Sequence, residues 1–269
     1  ILLIIFSLLL AVVLIVYAFM QQSIFGKTAT GERLEKNKKS ANYKNGSFNN
    51  VSPTPQLTEG AGFISVMKEF LFEKNKRGTP KDILPSKKTN LSKLDPNKNV
   101  LVWFGHSSYF MQIDGKRILV DPVLSGSASP ISTTKSLNPK IKTLICGLGT
   151  GAHFERWGFD DDCIIERDWN EEIQLDPGFT VYTAPSRHFS GRNFRRNKSL
   201  WTSFVLQTPG MKIFIGGDSG YDSHFTEIGQ QHGPFDLAIL ECGQYDKSWK
   251  YIHMMPAEVL QASADLKAA

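Results

Sequence analysis

The chain has 269 residues, of which 41% are hydrophobic and 21% charged, a composition that excludes a disordered or fibrous protein. The formal net charge of +5 is unevenly placed. Residues 23–100 carry 15 Lys and Arg against 7 Asp and Glu, whereas residues 101–269 carry 16 against 19. The larger, mildly acidic part is therefore not expected to bind nucleic acid, which requires a basic surface on the binding domain.

The N-terminal segment from Ile1 to Met20 has no charged side chain, and only Ser7 and Tyr17 interrupt its apolar sequence. A stretch of this length predicts one membrane-spanning helix, which we assign to residues 1–22. The alternative is a secretory signal peptide, but no A-x-A cleavage site follows Met20. We therefore expect an uncleaved, single-pass anchor, without assigning the side of the membrane.

Residues 23–98 are polar and basic, with frequent Gly and Pro, and predict a linker between the anchor and the main domain. A basic segment beside an apolar one is typical of chains near anionic lipid headgroups; the alternative is a solvated linker that is basic by chance. Residues 62–74 have helical spacing. One face of this helix carries Phe63, Val66, Met67, Phe70 and Leu71. We expect this short helix to pack on the main domain.

The main domain, residues 99–269, contains short apolar runs bounded by Gly, Pro or Asp, and these predict strands. The runs are VLVWFG, YFMQIDGKRILVDPV with a DG turn, TLICGL, FTVYTAP, TSFVLQT, KIFIGGD and DLAILEC. Helices are predicted at Ala152–Trp157, Ser223–Gly229 and Pro256–Lys267. Because hairpins outnumber alternating βαβ units, we predict an α+β domain with mostly antiparallel sheets. The cysteines Cys146, Cys163 and Cys242 have no CxxC spacing and predict no cysteine zinc site.

Three polar side chains follow predicted strands or precede a predicted helix. His188 lies in TAPSRHFSGR, Asp218 ends the apolar run in IFIGGDSGY, and His253 lies in KYIHMMP. Loops at strand ends commonly carry binding groups. Taken singly, each residue has an ordinary alternative, because a lone loop histidine is often a surface residue and a GGD sequence is often only a turn.

Together these segments resemble a known family. The stretch WFGHSSYFMQIDGKRILVDPVLSGSASP, residues 103–130, is similar to the opening strands of metallo-β-lactamase-fold hydrolases, and SRHFSGR, GGDSGY and the His253 stretch follow in the family's order. The most similar branch contains the N-acyl-phosphatidylethanolamine-hydrolysing phospholipase D. The resemblance implies an αββα sandwich that binds two zinc ions. It also implies a phosphodiester or related ester substrate, such as a phospholipid, and localisation to a bacterial inner membrane.

The resemblance also implies roles for individual residues. His188 matches a histidine ligand of one zinc ion, and Asp218 matches the carboxylate that bridges both ions. His253 matches a catalytic histidine that positions the substrate phosphate or the leaving group. His106 and Asp121 match positions that shape the site without binding metal. We therefore expect His188, Asp218 and His253 to converge at one rim of the sandwich.

The chain departs from the family in one respect that bears on activity. The signature HxHxDH, which supplies several zinc ligands, should follow DPVLSGSASP, but no H-x-H occurs in the sequence. We place the gap between Lys135 and Asn138, and we also expect the final strands and the last histidine ligand to be missing. Both a natural deletion and an error in the sequence would produce such a gap. Two remaining side-chain ligands cannot close a zinc site, so we expect an incomplete sandwich and an inactive enzyme. The alternative is a membrane-tethered, non-catalytic binding protein.

Overall fold

The strands and helices predicted from residue 99 onward are present in the computed structural model, which describes residues 2–72, 82–122, 141–192, 195–243 and 246–269. The predicted gap near Lys135 lies outside these residues. The helices are α1 (Leu2–Met20), α2 (Gly31–Lys39), α3 (Phe63–Phe72), α4 (Gly151–Arg156), α5 (His224–Gln231) and α6 (Pro256–Asp265). Short 3₁₀ turns lie at Ser23–Phe25, Leu91–Lys93, Asp161–Cys163 and Lys247–Trp249.

The strands are short, as the punctuated sequence indicates. They are β1 (Tyr43–Lys44), β2 (Ser47–Phe48), β3 (Val100–Gly105), β4 (Ser108–Ile113), β5 (Lys116–Val120), β6 (Leu144–Gly147), β7 (Ile164–Arg167), β8 (Glu172–Asp176), β9 (Phe179–Ala184), β10 (Gly191–Arg192), β11 (Arg195–Arg196), β12 (Ser203–Gln207), β13 (Lys212–Ile215) and β14 (Leu237–Ile239). Most pairs are antiparallel, as predicted, but β6 pairs with β7 and β13 with β14 in parallel.

The chain divides into two compact units, and the first combines Ile1–Val51, Leu124–Glu171 and Phe189–Thr202. It contains three two-stranded sheets, β1–β2, β6–β7 and β10–β11. Its core is a cluster of large side chains, Phe48, Leu148, Trp169, Leu200 and Trp201. Because each sheet of this unit has only two strands, burial of these large side chains is the main stabilising contribution to its fold.

The structure differs from the expected linker over residues 23–51, which fold as part of the first unit. Helix α2 lies in this stretch, and its Arg33 forms ion pairs with Glu166 and with Glu155, the latter at 2.8 Å. The side chains of Phe25 and Phe48 are buried. The polar composition of the stretch concealed this order, because the helix is held by charged contacts with residues distant in sequence.

Helix α1 fits the predicted span. It is exposed along its length and, at 1.5 Å per residue, about 29 Å long. Among the described residues, α1 is the one helix that is long and apolar enough to cross a membrane. The prediction of a single apolar helix that does not pack into the core is confirmed.

The second unit combines Ser52–Val123, Glu172–His188 and Ser203–Ala269. It contains a five-stranded sheet of order β14-β13-β12-β9-β8 and a three-stranded sheet of order β3-β4-β5. The predicted DG turn joins β4 to β5, with positive φ at Asp114 and Gly115, as a two-residue hairpin turn requires. Helices α5 and α6 contribute to the core, which contains Ala184, Val205, Phe214, Phe225, Ile228, Phe235, Met254, Ala262 and Leu266.

Helix α3 forms where the sequence predicts it, but the prediction that it packs on the main domain was wrong. Ile64 is 83% exposed, Phe72 78% and Phe63 67%. Helical periodicity identifies an apolar face but does not identify what covers it.

Candidate metal site

Three strands of the five-stranded sheet end at the same edge. Strands β13 and β14 are parallel, and β12 is antiparallel to both β13 and β9, so β9, β13 and β14 all run in one direction. His188 follows β9, Asp218 follows β13 and Glu241 follows β14. The strand directions therefore bring three polar side chains to one edge, the common location of binding groups in such sheets.

Glu241 and His253 are in direct contact at this edge. The Nδ1 atom of His253 lies 3.1 Å from Oε2 of Glu241, while the backbone N–H of Met254 donates to Oε1 at 2.6 Å. The carboxylate of Asp218 completes a group in which one ligand atom from each of the three residues lies within 4.8 Å of the other two. The side chains of Glu241 and His253 are largely buried, at 10% and 18% exposure. We refer to Asp218, Glu241 and His253 as the acidic triad.

His188 lies beside this triad. Its ring centroid is 5.3 Å from that of His253, at an interplanar angle of 68°. The structure thus places His188 next to His253, and His253 next to Asp218, at one edge of the sheet. Glu241 contacts His253 and belongs to the same group, but it is not among the site residues predicted from the sequence.

The loop that carries His188 is fixed by its neighbour Arg187. The backbone N–H of Arg187 donates to Ser219 Oγ at 2.9 Å, and its guanidinium donates to the backbone oxygens of Tyr221 at 2.8 Å and Pro53 at 3.0 Å. The guanidinium also lies over the ring of Tyr251, 5.0 Å from its centroid. These contacts tie the loops after β9 and β13 to the segment that leads to His253.

Two glycines permit the close approach of these loops. A Cβ atom at Gly220 would overlap the backbone of Tyr251. A Cβ atom at Gly243 would lie 2.9 Å from both Glu241 Oε2 and the Cβ of His253, and Gly243 also has a φ of +42°. Any larger residue at either position would displace the triad.

Carboxylates dominate the electrostatics of the triad. The hydrogen bond that His253 donates to Glu241 raises the pKa of His253, and the negative charges of Glu241 and Asp218 act in the same direction, whereas burial lowers this pKa. The triad therefore combines two carboxylates with one imidazole. A bound cation would balance the negative charge of the carboxylates.

Other histidines have structural positions. His153 in α4 and His224 in α5 are buried, and burial lowers the pKa of each to about 4. His106 lies at the β3–β4 turn, where its Nδ1 is 2.9 Å from Ser107 Oγ, and that hydroxyl donates to Asp121. These contacts of His106 and Asp121 fix the turn.

Comparison with known proteins identifies the family. A family model described as a β-lactamase superfamily domain matches residues 131–269. A protein of Mycobacterium tuberculosis described as uncharacterised is 34% identical, with 84% of this chain and 71% of the relative aligned. The chain belongs to the β-lactamase superfamily. The predicted metallo-β-lactamase fold and the family resemblance are therefore confirmed.

Two further members of the superfamily carry informative names. The mitochondrial N-acyl-phosphatidylethanolamine-hydrolyzing phospholipase D of Saccharomyces cerevisiae is 27% identical over 88% of this chain and 70% of its own length. Outer membrane protein RomA of Klebsiella pneumoniae is 60% identical over 33% of this chain and 67% of its own length. The chain is accordingly a member of the metallo-hydrolase superfamily.

The types of donor atom at this edge, one imidazole nitrogen and two carboxylates, fit a divalent cation such as zinc. Zinc binds His nitrogen and carboxylate oxygen at about 2.0–2.2 Å, so ligands of a tetrahedral site stand about 3.3–3.6 Å apart. The 3.1 Å separation of His253 Nδ1 and Glu241 Oε2 is close to that value, and an oxygen of Asp218 lies within 4.8 Å of both residues' ligand atoms. Within the described residues, the acidic triad is the group of three His, Cys, Asp or Glu side chains whose ligand atoms all lie within 4.8 Å of one another.

Proposed function

We propose that this chain is a membrane-anchored member of a zinc-dependent hydrolase lineage that cleaves phosphodiester or related ester bonds of lipids. We further propose that the chain itself holds one divalent cation weakly and hydrolyses phosphodiesters no faster than background. The observation that carries the proposal is the acidic triad, which offers three protein ligands at one edge of the sheet.

The residues of the triad have distinct parts in this proposal. Glu241 is oriented by the backbone N–H of Met254, and a bound cation would replace the proton that its carboxylate now shares with His253 Nδ1. Asp218, after two glycines at the end of β13, would supply the third ligand. A bound zinc ion would act as a Lewis acid and lower the pKa of coordinated water to about 7. His188, beside His253, would face the same ion or the substrate.

The absence of H-x-H from the sequence argues against the two-ion chemistry of the lineage. The alignment to the M. tuberculosis relative supports a gap, because it extends over 264 positions but includes only 84% of this chain. The relative therefore has positions with no counterpart here. The weak binding that we propose follows from the composition of the triad, which has one imidazole and two carboxylates, and that imidazole already hydrogen-bonds one of the carboxylates. Within the described residues, no second group of three such side chains is available for a second ion.

The membrane part of the proposal comes from α1 and from the relatives. The exposed apolar helix is long enough to span a bilayer, and a signal sequence is the alternative that its composition leaves open. The yeast relative is named for hydrolysis of a membrane phospholipid. We therefore propose a single-pass anchor in a bacterial inner membrane and, for the lineage, a phospholipid or small phosphodiester substrate.

The second candidate function is a membrane-tethered, non-catalytic binding protein. The missing signature favours it, because a chain without that signature retains the loops at the sheet edge but not the ligands for turnover. An intact genomic reading frame with the same gap would favour this candidate, whereas codons for the missing segment near Lys135 would favour the enzyme.

Hydrolysis of a chromogenic phosphodiester by the full chain in lipid nanodiscs, with added zinc, tests the proposal. We expect background rates for this chain and for His188→Ala. A chain carrying a family-like HxHxDH segment after Lys135 should bind zinc more tightly and serves as the comparison. Turnover by the unmodified chain that His188→Ala abolishes would contradict the proposal.

A further inference from the structure

Helix α3 exposes an unusual amount of apolar surface. Besides Phe63, Ile64 and Phe72, the side chain of Leu71 is 62% exposed. Farther along the chain, Ile83 is 98% exposed. Soluble proteins rarely leave so many large apolar side chains facing water, and large apolar patches mark sites of interaction with protein or membrane.

The helix is amphipathic, with most of its apolar side chains on one side, but Phe72 lies on the side opposite Phe63. At 100° per residue, Phe63, Val66 and Met67 lie on one face, with Ile64 and Leu71 at its border. Ser65 and Glu69 lie on the opposite face, and Lys68 lies at the edge. A short helix with this distribution suits the boundary between headgroups and acyl chains.

The charge of the flanking chain matches an anionic surface. Residues 63–98 contain nine Lys and Arg against four Asp and Glu. Lys87 and Lys88, close behind Ile83 and Leu84, are both exposed. Apolar side chains next to exposed lysines are the combination that binds bilayers containing anionic lipids, because burial and electrostatic attraction act together.

We propose that α3 and the Ile83–Lys88 segment lie in the surface of an anionic membrane, as a second membrane contact besides α1. The occupant of the apolar face is thus the lipid bilayer rather than a second copy of the chain. The same polypeptide carries an exposed apolar helix of spanning length, and the anchoring proposed for α1 would hold the chain at a bilayer. The net positive charge of residues 63–98 would disfavour packing of two such segments against each other.

The start of this contact is fixed within the second unit. The backbone N–H of Thr58 donates to the Ser248 oxygen at 3.0 Å, and the Thr58 hydroxyl donates to the Lys247 oxygen at 3.1 Å. These bonds hold the chain five residues before α3 against the segment that leads to His253. The choice of a bilayer as the occupant rests on the proposed membrane anchor α1, but not on whether the acidic triad binds a metal.

Spin labels at two neighbouring positions of α3 test the proposal. In the full chain with Cys163→Ser and Cys242→Ser, Ile64→Cys places a label at the apolar border, and Ser65→Cys places the control label on the polar face. Cys146 does not interfere, because it is buried and burial raises the pKa of its thiol to about 12. The measurement is collision of each label with oxygen, which enters lipid, and with a water-soluble nickel complex.

In nanodiscs of phosphatidylcholine and phosphatidylglycerol, the label at position 64 should collide mainly with oxygen and report a depth of about 5–10 Å. The label at position 65 should collide mainly with nickel. Lys87→Glu combined with Lys88→Glu should shift the first label toward water. Equal nickel access at both positions, or protection of position 64 from both reagents by protein contact, would overturn the proposal. An unchanged depth in pure phosphatidylcholine would overturn the assignment to an anionic surface.

Discussion

Glu166 of the first unit and Glu241 of the second are both largely buried glutamates, but their surroundings differ. Glu166 accepts a hydrogen bond from the Gly151 backbone at 2.7 Å and pairs with the Arg33 guanidinium, whose charge is permanent. In the part of the chain that the structure describes, the ion-pair partner of Glu241 is His253, whose charge depends on pH, and Asp218 adds a second carboxylate. A buried carboxylate that a fixed cation neutralises stabilises the fold, whereas an incompletely compensated group is a candidate for binding.

The largest effect should come from breaking the compensated pair. Arg33→Met leaves the carboxylate of Glu166, which is 4% exposed, without its cation and should lower the free energy of unfolding by about 3–5 kcal/mol. Urea unfolding followed by tryptophan fluorescence measures this, because Trp169 and Trp201 lie in the core of the same unit.

The matched control for that variant is Lys38→Met. Lys38 pairs with Glu35 at 2.7 Å on an exposed part of the same helix, where solvent screens the interaction, so its loss should leave the urea midpoint almost unchanged. Equal effects of the two variants would show that Glu166 is not stabilised in the way its contacts indicate.

A smaller effect, of about 3 kcal/mol, should appear as acid sensitivity in the second unit. Burial lowers the pKa of His224 to about 4, although Asp222 opposes this effect and Arg187 adds to it. The unfolded chain takes up this proton near pH 6.5 and the folded chain only near pH 4, so stability present above pH 6.5 is lost as the pH falls through this window.

His224→Gln retains a hydrogen-bonding group for Ser219, which lies 3.2 Å from His224 Nε2, and removes the titration. Its unfolding free energy, measured by denaturation between pH 7 and pH 4.5, should therefore fall less steeply than that of the unmodified chain. If the unfolding free energies of the two proteins fall equally steeply with pH, the acid sensitivity comes from other titrating groups, including the acidic triad.

The sequence predicted the second unit better than the first, for physical reasons. Strands such as β4 and β13 are apolar runs ended by Gly or Asp, so their limits are local properties of the chain. Helix α2 contains one large apolar side chain, Leu34, and is held by ion pairs to residues more than a hundred positions away. No periodicity within α2 could have indicated those partners.

The same distinction applies to the site. His188, Asp218 and His253 were selected because each stands in a distinctive loop sequence. Glu241 follows β14 in the less distinctive sequence LAILEC, and its position became evident only from the parallel pairing of β13 with β14. One sequence feature could have identified Glu241: the apolar run LAIL leads directly into its carboxylate, as the run IFIGG leads into Asp218.

Zinc stoichiometry of the full chain after dialysis, measured by elemental analysis and by calorimetric titration, tests the central claim most directly. We predict at most one zinc ion per chain, bound weakly, and loss of that binding in Asp218→Asn and Glu241→Gln. Glu172→Gln, an exposed position on β8 of the same sheet, is the matched control and should bind as the unmodified chain does. Two tightly held zinc ions per chain, or binding unaffected by Glu241→Gln, would contradict the account.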